Sequence, residues 1–245
     1  HKGRTRVIFF LCVGNKAPLD PEGISTMNVA IIDTETTKNN MVYDLGVAIL
    51  NSSTGEIVDT MNVVVSETFG DVAAMRTAYY ASKIPQYLAA IDAGELEVLA
   101  FSDCFKRFGE LLAAHGGRSV WAYNMAFDFK ALNRTISELS NGFVGCFFPD
   151  DVKCYDLMSS AINLVGNTRR YQSWALEHGY VTPTGRAKAT AEIMFRFVTD
   201  DDTFIEDHTA LSDAMVEADI LAHLVAKKAG YKRHGEKWGA RVQMR

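Results

Sequence analysis

At 245 residues, 48% hydrophobic and 22% charged, the chain is long enough to bury a sizeable core and has the composition of an ordinary globular domain. Its formal net charge of −5 excludes a global attraction to nucleic acid or an acidic membrane, so a polyanionic partner must be held by local patches or bound cations. The four cysteines, Cys12, Cys104, Cys146 and Cys154, stand singly without a C-x-x-C pair, which argues against a zinc site or a disulfide framework and fits a reducing cytoplasm.

Residues 1–26 read as a leader or an upstream remnant ahead of Met27, expected to be poorly ordered: basic "HKGRTR", apolar "VIFFLCV", then turn-rich "GNKAPLDPEGIST". Seven apolar residues are too few to span a bilayer, and no other segment approaches that length, so no membrane association is expected. From Met27 the runs "NVAIID", "LGVAIL" and "EIVDTMNVVVS", joined by short polar connections, predict a three-strand meander. Between Val72 and His115 the period turns helical, with Phe101, Phe105, Phe108, Leu111 and Leu112 at i, i+3, i+4 spacing before Gly116 and Gly117. "SVWAYN" predicts a fourth strand, "FDFKALNRTISEL" a helix and "DVKCYDL" a fifth strand, an alternation that implies parallel pairing.

Further helices are expected over "YQSWALEHG" and "RAKATAEIMFRFV", and a last one from about Thr209 to Lys228, with Leu211, Ala214, Met215, Ala218, Leu221 and Val225 as its apolar stripe and Gly230 as its stop. The fold class is therefore α/β: a mixed sheet flanked by helices in one domain over residues 27–228, followed by a basic tail over 229–245.

Three stretches carry polar side chains that the core does not require. Strand one ends in "DTETT", where Asp33 and Glu35 point to one face because their spacing is two residues. Two like charges there disfavour each other's ionisation, so something positive is needed between them, and an oxygen-rich pair suits Mg²⁺ or Mn²⁺ better than zinc. In "WAYNMAFDF", Asn124 closes a strand and Asp128 opens a helix; in "DHTALSDAM", His208 precedes the last helix and Asp213 lies in its first turns. Singly, each has a bland reading: strand-end acids facing water, a helix-start acid complementing the dipole, Thr209 as an N-cap. Carboxyl ends of strands in α/β sheets are where ligands bind, however, and four carboxylates with one imidazole can converge there.

Asp33-Thr34-Glu35-Thr36-Thr37, then Tyr123-Asn124-x-x-Phe127-Asp128, then His208-x-x-x-x-Asp213 resemble the three ordered motifs of the DEDDh exonucleases, DnaQ-like relatives of polymerase proofreading domains with a ribonuclease-H-like fold. The resemblance spans about Met27 to Lys228, with Lys38 standing where many relatives carry Gly. It implies a 3′-to-5′ exonuclease that releases nucleoside 5′-monophosphates from single-stranded 3′ ends, with two divalent cations, Mg²⁺ or Mn²⁺, held by Asp33, Glu35, Asp128 and Asp213. It further implies His208 as the general base, Thr36 and Asn124 as contacts to the terminal nucleotide, and a polymerase or replication partner in trans. Family analogy leans towards DNA; an exoribonuclease acting on RNA tails is the nearest alternative, and a non-catalytic nucleic-acid-binding module a more distant one. The tail "KKAGYKRHGEKWGARVQMR", with Tyr231 and Trp238 among its basic residues, reads equally as a strand-tracking surface or a solvated end, and Arg169 and Arg170 are further candidates for strand contact. His115, His178, His223 and His234 belong to no motif.

Overall fold

The computed structural model describes residues 28–140, 145–229 and 240–241, so the leader, the Gly230 stop and most of the basic tail lie outside the described residues. Three long strands, β1 (Asn28–Thr36), β2 (Val42–Asn51) and β3 (Glu56–Val65), form the antiparallel meander. β2 is buried along nearly its whole length because it is sandwiched between its two partners and covered on both faces. α1 (Ser66–Phe69), α2 (Val72–Met75), a 3₁₀ turn (Ala81–Lys83) and α3 (Ile84–Asp92) follow.

A short strand, β4 (Glu97–Leu99), then pairs parallel to β3 at the sheet edge, inside a span whose pattern predicts helix throughout. Three residues, two of them exposed, are too few for a period of two to show. α4 (Phe101–His115) ends at Gly116, whose φ of +64° supplies the left-handed cap. β5 (Ser119–Ala122), α5 (Met125–Leu139) and β6 (Lys153–Asp156) form the expected right-hand side, with β5 parallel to both β1 and β6.

The remainder comprises α6 (Leu157–Ala161), a π-helical turn (Ile162–Gly166), α7 (Arg169–Glu177), α8 (Ala191–Thr199) and α9 (Ala210–Ala229). α8 begins five residues later than expected because the Thr190 side chain caps it, accepting the N–H of Ile193, and Val181 and Ala187 form an isolated bridge just before it. A two-residue strand, β7 (Ala240–Arg241), completes the order β4-β3-β2-β1-β5-β6-β7. No helix among the described residues is long and apolar enough to cross a membrane.

The sheet separates two larger cores, and a third, smaller cluster around Tyr43, Met75 and Tyr87 packs α2 and α3 against it. α4 and α5 pack on one face through Phe101, Phe108, Leu112 and Leu132; α6 to α9 pack on the other through Leu157, Tyr171, Met194, Ala218 and Leu221. Alternate residues of β1 serve the two faces: Ala30 and Ile32 join the first core and Ile31 the second, so Asp33 and Glu35 continue the row facing α9 while Thr34 faces α5.

One contact fixes where α9 begins. A Cβ on Gly46 of β2 would lie 2.2 Å from the backbone of Ala210 and Leu211, so only glycine lets the helix start against the sheet. Gly46→Ala is expected to cost about 1–3 kcal/mol and to push the helix start, with Asp213 on it, off the sheet. Denaturant unfolding checks the loss; an unchanged midpoint would contradict the close approach.

Candidate active site

Each acidic residue arrives by a different route. Asp33 and Glu35 leave β1 at its carboxyl end, where the register with β2 shifts between Glu35 and Thr36; such irregularities re-aim side chains at sheet ends. Asp128 sits in the first turn of α5, 2% exposed, and accepts a 2.8 Å hydrogen bond from the Thr34 hydroxyl on the neighbouring strand. The turn before it depends on Asn124, which adopts φ +74°, a left-handed conformation that asparagine tolerates better than most residues.

Asp213 lies in the first turn of α9 and accepts the backbone N–H of His208 at 3.2 Å. Thr209 does not cap the helix with its hydroxyl, which donates instead to Asp207; the Ala210 N–H donates to buried Asp44, which also accepts the Tyr87 hydroxyl at 2.6 Å. Asp44 thereby pins the start of α9 to β2 and α3.

His208 is held from several sides. Its φ is +54°, its ring stacks on Tyr80 with centroids 4.4 Å apart and planes 13° from parallel, and its Nδ1 lies 3.7 Å from carboxylate oxygens of both Glu206 and Asp213. The adjoining Lys83–Asp207 ion pair, at 2.9 Å, ties the Tyr80 segment to the loop that carries His208. Glu35, His208 and Asp213 each offer a ligand atom within 4.8 Å of the others, a spacing that suits a shared cation.

A fifth acid belongs here that the motifs did not include. Glu217, 2% exposed and one turn beyond Asp213, accepts the Tyr123 N–H at 2.9 Å, which links α9 to the end of β5. Its spacing of four from Asp213 was the available signal. With Asp213 and Glu217 facing inward, α9 is buried around more of its surface than the expected stripe: Ala214, Ala218 and Leu221 are buried as expected and Met215 is exposed, while Ala210, Val216, Ile220 and Leu224 are buried as well. Of the expected nucleotide contacts, Asn124 is exposed beside Asp128, whereas Thr36 is buried, its side chain turned away from solvent.

The electrostatics are those of crowded acid without a counter-charge. No Lys or Arg among the described residues forms an ion pair with Asp33, Glu35, Asp128, Asp213 or Glu217. Asp33 keeps some exposure, yet burial and then the charges of Asp128, Glu217, Asp213 and Glu35 hold its carboxyl well above the usual range. Burial and Asp213 push Glu35 up to about 9, burial and Glu206 push Asp213 up to about 8, and burial takes Asp128 to about 7 against the opposing Thr34 hydrogen bond. Glu217 is raised by burial and then by Asp128. Burial and then Lys83 lower the His208 imidazole, which keeps it neutral and able to accept a proton.

These raised values make stability depend on pH and on cations. Each folded value exceeds its unfolded value near 4, so the protonated cluster stabilises the cation-free fold fully below pH about 4, and that contribution is lost as pH climbs towards about 9. The melting temperature in chelator is therefore expected to fall between about pH 5 and 8, and Mn²⁺ to restore it at the upper end. A flat profile in chelator, or no response to Mn²⁺, would contradict this electrostatic picture.

The described residues thus form an α/β sheet with acids gathered at the carboxyl end of its central strand, one imidazole beside them and no counter-cation, an arrangement with the donor chemistry of a candidate cation site. Among solved structures the chain is similar to the nuclease domain of 3′hExo, described as a DEDDh family member bound to rAMP, with a TM-score of 0.57, 14% identity, and coverage of 90% of this chain and 98% of that one. It is also similar to a full-length 3′-exonuclease (TM-score 0.53, 16% identity, 90% and 92% covered) and to a 3′-exonuclease recognising the histone mRNA stem-loop (TM-score 0.53, 15% identity, 89% and 71% covered). The chain therefore has the DEDDh exonuclease fold. No family model and no curated protein matches the sequence.

Proposed function

We propose that the chain is a metal-dependent 3′-to-5′ exonuclease that hydrolyses the terminal phosphodiester of a single-stranded nucleic acid and releases a nucleoside 5′-monophosphate. The observation that carries this reading is the set of five acids beside one neutral-leaning histidine with no Lys or Arg counter-charge among the described residues, on a fold shared with DEDDh nuclease domains. Asp33, Glu35, Asp128 and Asp213 fit two divalent cations, Mg²⁺ or Mn²⁺, because all are hard oxygen donors and, once ionised, their mutual repulsion is relieved by positive charge between them. When bound, such a pair activates water, stabilises the leaving oxygen and compensates charge on the phosphate.

His208 takes the proton of the attacking water, whose oxygen bonds to phosphorus while the P–O3′ bond breaks; the new 3′-hydroxyl is protonated from solvent. Tyr80 keeps the imidazole in place by stacking on its face. Phe127, 40% exposed next to Asp128, and exposed Asn124 offer an aromatic face and a polar group to the terminal nucleotide.

The polymer can be either. The preference for DNA rests on family analogy, while two neighbours of similar fold are described with rAMP and with a histone mRNA stem-loop, which favours the exoribonuclease reading. Matched DNA and RNA strands incubated with Mg²⁺ and the protein, with products separated by chromatography, test the proposal. Nucleoside 5′-monophosphates from at least one polymer are expected; nucleoside 3′-monophosphates, or intact strands of both, would refute it.

A further inference from the structure

About 15 to 21 Å along α9 from Asp213, at the 1.5 Å rise of a helix, lies a second and chemically opposite site. A cavity of about 390 Å³ opens between α7, α8 and α9, lined by Thr168, Arg170, Phe197, Asp200, His223 and Lys227 among others. Its volume falls in the range of small-ligand sites. Arg170, His223 and Lys227 bring three basic side chains to one concavity, and among the described residues none of them forms an ion pair, although Asp200 stands at the rim.

Arg170 is exposed, and its guanidinium lies over the Phe197 ring, 5.3 Å from the centroid. His223 and Lys227 are half-buried and one turn apart on α9. Burial and then Arg170 lower the Lys227 ammonium, and burial, Lys227 and Arg170 lower His223, so the charges of Arg170 and Lys227 repel each other and disfavour protonation of His223. Such a cluster is stabilised by an anion that accepts several charge-assisted hydrogen bonds, and a phosphate offers the oxygens that a guanidinium and an ammonium bind well.

We infer that the cavity between α7, α8 and α9 binds a backbone phosphate of the substrate strand, upstream of the bond that is cut. The binding of phosphate stands on the cavity alone; its origin in a strand rests on the proposed nuclease reading. A stacked strand advances ~3.4 Å per nucleotide, so about four to six stacked nucleotides separate the 3′ end from this contact. Short substrates cannot reach it.

Two measurements on the full chain separate these statements. In the first, inorganic phosphate is titrated in while the ring signals of His223 are followed by NMR. The signals are expected to move in the wild type and to stay in place in the double variant Arg170→Gln, Lys227→Gln, which keeps much of each aliphatic stem. Stationary wild-type signals would overturn the site.

In the second, binding of a strand of about 20 nucleotides and of a trinucleotide is read by fluorescence anisotropy, which needs no hydrolysis and so stands whether or not the chain is a nuclease. The double variant is expected to bind the long strand about tenfold more weakly and the trinucleotide equally well. Equal losses on both lengths would show a general defect. No loss on the long strand, with phosphate still bound, would leave an adventitious ion only or a free-phosphate site. Either result overturns the inference.

Discussion

Asp33→Asn is expected to lower turnover by at least about a thousandfold, some 4 kcal/mol of transition-state stabilisation, while the cation-free protein melts higher than the wild type. Both effects follow from one side chain. Asp33 stands between the carboxylates of β1, α5 and α9, and its carboxyl is raised by burial and by four neighbouring acids, so its charge opposes folding and favours cation binding. The amide keeps the shape, removes one like charge and offers a cation a weaker ligand. Calorimetry should show weakened Mn²⁺ binding alongside the activity loss. Turnover within about tenfold of wild type would remove Asp33 from the reaction, and a lower cation-free melting temperature would refute the crowding argument.

His208→Ala is expected to reduce kcat by about 10²- to 10⁴-fold with Mn²⁺ binding retained, because four carboxylates still surround the cation site. Neutral imidazole is the form that accepts a proton, so wild-type activity should fall on the acid side as His208 becomes protonated, below the ordinary histidine value because burial and Lys83 lower it. That acid limb should be missing from the variant. Tyr80→Phe, which preserves the stacked ring, should behave nearly as wild type, whereas Tyr80→Ala should lower kcat more than it raises KM. If His208→Ala instead abolishes cation binding, the imidazole is a ligand, as its spacing to Glu35 and Asp213 allows, and its role as base is wrong.

Much of the scaffold was legible because it rests on periodicity. β1, β2 and β3 alternate or run apolar over nine or ten residues and their turns are short, so the meander and the shared face of Asp33 and Glu35 follow from spacing. β4 was not legible: three residues at the sheet edge carry no period, and their pairing to β3 is a tertiary event. The exposure of Met215 and the extra buried positions on α9 were hidden for a related reason. An apolar stripe through Met215 scores well by helical spacing alone, yet burying Asp213 and Glu217 beside the acids of β1 and α5 turns Met215 to solvent. Burial of carboxylates is chosen by the site they build and overrides local hydrophobic pattern. Asp44 was missed similarly, since only the structure shows the Ala210 N–H and Tyr87 hydroxyl that justify burying it.

The central claim is that the crowded acids exist to hold divalent cations at a strand's 3′ end. A 5′-labelled single strand incubated with the full chain tests it most directly. The account predicts a ladder that shortens from the 3′ end with Mg²⁺ or Mn²⁺, stops on addition of chelator and resumes when the cation is restored in excess. Cleavage that persists in chelator, or release of the label as a mononucleotide from the 5′ end, would contradict it.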